Sequence, residues 1–139
     1  ASTFLKKFKA KYTGINKYSM GKMYEVSKDN LNMDGIRDAL IIFDKDEKAV
    51  GVILTGSKNY FDYYNNILKG KYSLVKSNIP FVGDKYAEYK DGNTSISIKA
   101  PHMSFDMEIY YIHKSLNDAF ERVTKQEEQQ KLKNNSNKL

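Results

Sequence analysis

The clearest pattern of hydrophobic and polar positions in the chain is an alternation between Met103 and Tyr111. Its apolar positions are Met103, Phe105, Met107, Ile109 and Tyr111, and its polar positions are Ser104, Asp106, Glu108 and Tyr110. Because successive side chains of a strand point to opposite faces, this period of two predicts a half-buried antiparallel strand. We expect the polar face of that strand to meet solvent or a partner.

Other short segments have the composition of strands and are separated by turn residues. In chain order they are residues 23–26, 39–43, 50–54, 72–75, 85–90 and 94–99, of which 23–26 and 72–75 have the weakest strand pattern. The continuous apolar run at 39–43 predicts a central strand that is buried on both faces. In the last segment Ile96 and Ile98 face inward, so its polar positions share a face with those of Met103–Tyr111 if the two strands pair.

Helical spacing of apolar residues occurs in three segments. They are residues 3–12, a segment between a cap at Ser57 or Asn59 and Gly70, and residues 115–123. The elements together predict an α+β fold, with an antiparallel sheet of about five or six strands and two or three helices packed on one face.

A chain of 139 residues is expected to form one folded domain. We place this α+β domain at residues 21–124. Residues 1–20 form a basic N-terminal segment, which we interpret as a short docked helix with its flanking residues. Residues 125–139 are polar and have too few apolar positions to order themselves, so we expect a frayed tail.

The formal charge of +6 lies within residues 1–28, which contain seven lysines and one acidic residue, while the rest of the chain is electroneutral. Lysine greatly outnumbers arginine, which is the preferred residue for bidentate recognition of bases and phosphates. We therefore expect no specific nucleic-acid partner. A weak electrostatic contact of residues 1–28 with anionic polymers or a membrane surface remains an alternative.

The absence of cysteine excludes disulfides, thiolate catalysis and cysteine-ligated zinc, and it fits either an exported or a cytoplasmic protein. The start at Ala1-Ser2-Thr3 resembles a chain from which an export signal has been cleaved, although a trimmed chain would begin in the same way. We expect a periplasmic or secreted protein, with a cytoplasmic location as the alternative. No stretch approaches the roughly 20 apolar residues of a membrane-spanning helix.

No motif indicates a metal or a cofactor, and we expect neither. Asp44-Lys45-Asp46 begins like a calcium-binding loop, but the fifth, sixth and twelfth positions do not provide the required oxygen ligand, glycine and acid. Those positions are Lys48, Ala49 and Thr55. His102 and His113 lack the spacing of paired metal ligands, and the isolated glycines form no nucleotide-binding loop.

Asp106 and Glu108 lie two residues apart on the polar strand face, which separates their carboxyl groups by roughly 7 Å. This separation is compatible with a small hydrolase that uses the two carboxylates with His102. Acidic residues on the exposed face of a strand also protect a sheet from aggregation. Since no nucleophile motif accompanies them, the hydrolase is the alternative hypothesis.

The leading hypothesis is a non-enzymatic module that binds another protein through its polar sheet face, for example an exported immunity or inhibitor-type protein. Tyrosine suits such a surface because it combines an apolar ring with a polar tip. The predicted contact residues are Asp106, Glu108, Tyr110, His102, Lys99 and Tyr63. The sequence leaves the identity of the partner and the oligomeric state open.

Overall fold

A computed structural model describes the backbone of residues 2–139, together with the side chains of these residues other than 2 and 4. The fold is α+β with one antiparallel sheet, which confirms the predicted class, but the sheet has eight strands rather than five or six. The strands are β1 (Lys11–Ile15), β2 (Met20–Ser27), β3 (Ile36–Asp44), β4 (Ala49–Ser57), β5 (Ser73–Asn78), β6 (Lys85–Asp91), β7 (Thr94–Ala100) and β8 (Asp106–His113). The helices are α1 (Ser2–Lys7), α2 (Lys28–Leu31), α3 (Phe61–Lys71) and α4 (Lys114–Lys138), with one 3-10 turn at Lys58–Tyr60.

The sheet consists of two meanders that join side by side. The strand order is β1-β2-β3-β4-β8-β7-β6-β5, so strands that follow each other in sequence pair within each half. The last strand of the first half, β4, pairs with the last strand of the second half, β8. The connection that includes α3 runs from the centre of the sheet to its far edge, where β5 begins.

The two longer helices pack on opposite faces of the sheet, which corrects the prediction of helices on one face. On one side, which we call the α3 face, Phe61, Tyr64 and Leu68 of α3 join the main core. On the other side, the α4 face, Leu116 packs with Ile42 in a smaller cluster. The central strand β3 has apolar residues on both faces, and packing of a helix on each side of the sheet removes these residues from water.

Strand β8 begins later than the alternating pattern predicted. Met107 and Ile109 are buried as expected, but Met103 and Phe105 lie in the β7–β8 loop and are exposed. Ser104 donates its backbone N–H to the carbonyl of Pro101, and Met103 has a positive φ of 67°. The chain must reverse direction between two antiparallel neighbours, and these residues form that reversal.

Both ends of the chain differ from their predicted conformation. Helix α1 ends at Lys7, whereas the apolar spacing had predicted a helix through residue 12, and Lys11–Ile15 instead form an edge strand. Residues 125–138, where we expected fraying, continue α4. This helix is tied to the β1–β2 connection by the Tyr18 and Phe120 rings, 5.0 Å apart, and by an ion pair of 2.6 Å between Lys17 and Glu127.

Candidate protein-binding face

Helix α4 covers only part of the α4 face and leaves open the half of that face formed by the second meander, β5–β8. It begins directly after β8 and packs over β4, where a Cβ on Gly51 would meet the Leu116 side chain. It then reaches Tyr18 through Phe120, toward the first half of the sheet. A cleft of about 330 Å³ remains over the open half. Its lining residues are Tyr86, Glu88, Ser95, Ser97, Lys99, Tyr110, Ile112 and Asn117.

The centre of this open half is a small grid of polar side chains on β6, β7 and β8. In one row, Lys99 is the register partner of both Tyr86 and Glu108. In the next row, Ser97 is the register partner of both Glu88 and Tyr110. We call these residues the polar face: Tyr86, Glu88, Ser97, Lys99, Glu108 and Tyr110.

Each tyrosine of the polar face is held by a lysine and a glutamate. The Lys99 ammonium lies 4.7 Å from the centre of the Tyr110 ring, and the Glu108 carboxylate is close enough to the Tyr110 hydroxyl to raise its pKa. Tyr86 repeats the arrangement, since it donates its hydroxyl to Glu88 Oε1 at 3.0 Å while Lys76 lies 5.7 Å from its ring centre. Such contacts restrict the rotamers of both rings before any partner binds.

The environment of Tyr110 disfavours its ionised form. Partial burial and the neighbouring Glu108 carboxylate raise the pKa of the Tyr110 hydroxyl to about 12. In the unfolded chain this hydroxyl has a pKa near its ordinary value of 10.0. The raised folded-state pKa therefore stabilises the folded chain below pH 10, and the contribution is lost as the pH rises toward 12.

We predict that Tyr110→Phe makes the free energy of unfolding less sensitive to alkaline pH, because the substituted chain has no hydroxyl to ionise at this position. Urea unfolding of both proteins, from below pH 10 to about pH 12, measures the difference. Glu108→Gln provides the comparison, since losing the carboxylate lowers the folded-state pKa of Tyr110 toward that of the unfolded chain and makes the loss of stability at alkaline pH smaller. Identical pH profiles for the native chain and Tyr110→Phe would refute the assigned environment.

Asp106 lies at the border of the polar face and is paired with a residue that sequence reasoning missed. Arg37 of β3 donates from Nη1 to Asp106 Oδ1 at 2.8 Å. This hydrogen bond and the arginine charge lower the pKa of the Asp106 carboxyl below its ordinary value. Asp106 is therefore stabilised as a carboxylate, whereas a general acid requires a raised pKa.

The predicted contact residues are only partly brought together. Lys99, Asp106, Glu108 and Tyr110 share the α4 side of the sheet. His102 lies in the β7–β8 loop, where its backbone N–H binds Asp84 Oδ1 at 2.6 Å. Tyr63 lies on α3, on the opposite side of the sheet, with its ring edge-on to those of Tyr60 and Tyr64.

Tyr86 and Glu88 belong to the polar face although the sequence did not single them out. They occupy alternate positions of a segment that was predicted as a strand, so their shared face was available from the period of two. Their place beside Ser97 and Lys99 depends on the β6–β7 hairpin register. The signal that would have found them is the turn at residues 91–93, since a short hairpin turn fixes the register of its strands.

A second cavity, of about 540 Å³, opens on the α3 face over β2, β3 and β4. Its walls are apolar apart from Glu47, so it offers one carboxylate and no partner for acid–base chemistry. Among residues 2–139, no group of three or more histidine or acidic side chains could hold a metal ion.

Comparison of the chain with protein-family models, with curated proteins and with solved structures found no match. In the part of the chain that the structure describes, no helix combines the length and apolarity needed to cross a membrane.

Proposed function

We propose that this chain is a non-enzymatic protein-interaction module that binds another protein through the polar face. The observation that carries the proposal is the pair of oriented tyrosines, Tyr86 and Tyr110, on a sheet surface that α4 leaves open. Tyrosine is enriched at protein interfaces because it adds large contact area at a low cost in conformational entropy. Rings that are already oriented lose still less entropy when they bind.

The charges of the polar face favour a partner with matched charges of both signs. Lys99 lies on β7 between the two tyrosine-bearing strands, directly across from Glu108 of β8 and diagonally across from Glu88 of β6. An alternating pattern of this kind contributes mainly to specificity, since a misaligned partner brings like charges together. In the more specific form of the proposal, the chain is an exported immunity or inhibitor-type protein whose glutamates contact basic groups of a toxin or enzyme.

The two alternatives have less support. A hydrolase would use Asp106 and Glu108 with His102, yet Asp106 is committed to its ion pair with Arg37. The imidazole of His102 belongs to a loop beyond the end of β7. Electrostatic binding through residues 1–28 would require a basic segment that is free to follow a polymer, whereas much of this segment is built into β1 and β2.

The proposal predicts that Ser97→Arg abolishes partner binding. Ser97 lies between Glu88 and Tyr110, so an arginine there covers the centre of the polar face without emptying the core. The control is Asn66→Arg, which adds the same charge at an exposed position of α3 on the other side of the sheet. Each protein is immobilised and exposed to an extract of the source organism.

We expect one protein to be retained in stoichiometric amount by the native chain and by Asn66→Arg, and to be lost with Ser97→Arg. Circular dichroism spectra that agree among the three proteins show that the substitutions leave the fold intact. Equal retention by Ser97→Arg would refute the role of the polar face. Failure of the native chain to retain any protein would refute the interaction module itself.

A further inference from the structure

Two loops at one end of the sheet expose large apolar side chains to solvent. They are residues 79–84, between β5 and β6, and residues 101–105, between β7 and β8. They lie side by side because Lys85 at the start of β6 is the register partner of Ala100 at the end of β7. The hydrogen bond from the His102 backbone to Asp84 joins them.

Four apolar side chains of these loops are largely exposed to solvent. Phe81 is 101% exposed, Phe105 91%, Met103 84% and Val82 69%. A single exposed apolar residue is ordinary on a protein surface, but four separate ones on two neighbouring loops make this end of the sheet a candidate interaction site. We call these four residues the apolar tips.

Two lysines lie at the base of the apolar tips. Lys58 donates from Nζ to the carbonyl of Pro101 at 3.2 Å, which places its ammonium beside the β7–β8 loop. Lys85 follows directly after the β5–β6 loop, and its ammonium lies 5.6 Å from the centre of the Phe61 ring. The structure thus has apolar groups at the ends of the loops and two ammonium groups behind them, which outnumber the single carboxylate of these loops, Asp84.

We propose that the apolar tips insert into the interfacial region of an anionic lipid bilayer, with Lys58 and Lys85 at the level of the lipid head groups. Side chains that stand separately suit a fluid medium, since lipids can rearrange around each one. A protein partner is normally met by a contiguous, well-packed patch. The lysines complement the negative surface of such a bilayer. This peripheral contact uses a different part of the molecule from the polar face and does not depend on that proposal.

A tryptophan reporter tests the insertion directly, because the native chain contains no tryptophan. Phe105→Trp places the reporter at an apolar tip, and Leu132→Trp places it at an exposed apolar position of α4 that is 71% accessible. With vesicles of phosphatidylcholine and phosphatidylglycerol, we expect the fluorescence of Phe105→Trp to shift to shorter wavelength and that of Leu132→Trp to stay unchanged. Absence of a shift in Phe105→Trp, or an equal shift in both, would overturn the proposal.

Vesicle flotation gives the corresponding measurement of affinity. The double substitution of Phe81→Ser and Phe105→Ser is expected to lower the partition coefficient at least about tenfold, because each ring contributes to binding through its buried area. Leu132→Ser serves as the control and is expected to float like the native chain. If salt alone removes binding and the double substitution has no effect, lysine electrostatics accounts for the contact and insertion is refuted. Binding of the tips to a protein but not to vesicles would also overturn it.

Discussion

Phe61→Ala is expected to lower the free energy of unfolding by about 3–5 kcal/mol. Phe61 is the first residue of α3, is 1% exposed and belongs to the main core. Its ring anchors the only long helix that covers the α3 face among residues 2–139. Loss of the ring removes buried apolar area and leaves a cavity that the sheet cannot close, since the strands are fixed by their ladders.

Urea unfolding of the native chain and of Phe61→Ala measures this loss. The matched control is Asn66→Ala, an exposed position on the same helix, for which we expect a change within about 0.5 kcal/mol. If the two substitutions had similar effects, the anchoring of α3 through Phe61 would be wrong. Other residues would then have to account for the burial of the α3 face.

Gly21→Ala is expected to destabilise the chain by about 3 kcal/mol, because the β2–β3 pairing leaves no space for a side chain at this position. A Cβ on Gly21 would overlap the carbonyl oxygens of Phe43 and Asp44, which are backbone atoms and cannot move as a flexible side chain can. The Phe43 carbonyl also accepts a hydrogen bond of 2.7 Å from the Ser19 hydroxyl. The clash would therefore disturb both the ladder and the turn that precedes β2.

Gly70→Ala is the control for this prediction. Nothing lies within 4 Å of a Cβ at Gly70, which is within α3, so alanine there should stabilise the chain by about 0.4–1 kcal/mol. Thermal unfolding of the two proteins should shift the midpoint in opposite directions. A destabilised Gly70→Ala, or a Gly21→Ala as stable as the native chain, would contradict the described packing.

The local pattern of apolar and polar residues was sufficient to predict the central strands from the sequence. The alternation in residues 94–99 and the apolar run at 39–43 correspond to β7 and β3, because buried strands must place apolar residues at regular positions. The edge strands β1 and β5 are almost wholly exposed, so burial imposes no such pattern on them. Strand β1 was therefore missed, with residues 11 and 12 assigned to a helix, and β5 was recognised only over residues 72–75.

The local sequence pattern could not predict how the helices and strands are arranged relative to one another. That α3 and α4 cover opposite faces depends on packing between residues distant in the sequence, as does the pairing of β4 with β8. The same pairing brings Arg37 of β3 across to Asp106 of β8. Met103 and Phe105 are exposed loop residues, but in the sequence they continue the alternating pattern of β8. The period of two alone therefore could not show that the strand begins only after them.

The central claim, that a protein partner binds the polar face, is tested most directly by site-specific photo-crosslinking. A benzophenone amino acid is introduced in place of Ser97 in one protein and in place of Asn66, on the other side of the sheet, in a second. Both are irradiated in an extract of the source organism. We expect one discrete crosslinked protein from position 97 and none of it from position 66. The same adduct from both positions, or an adduct from position 66 alone, would contradict the account.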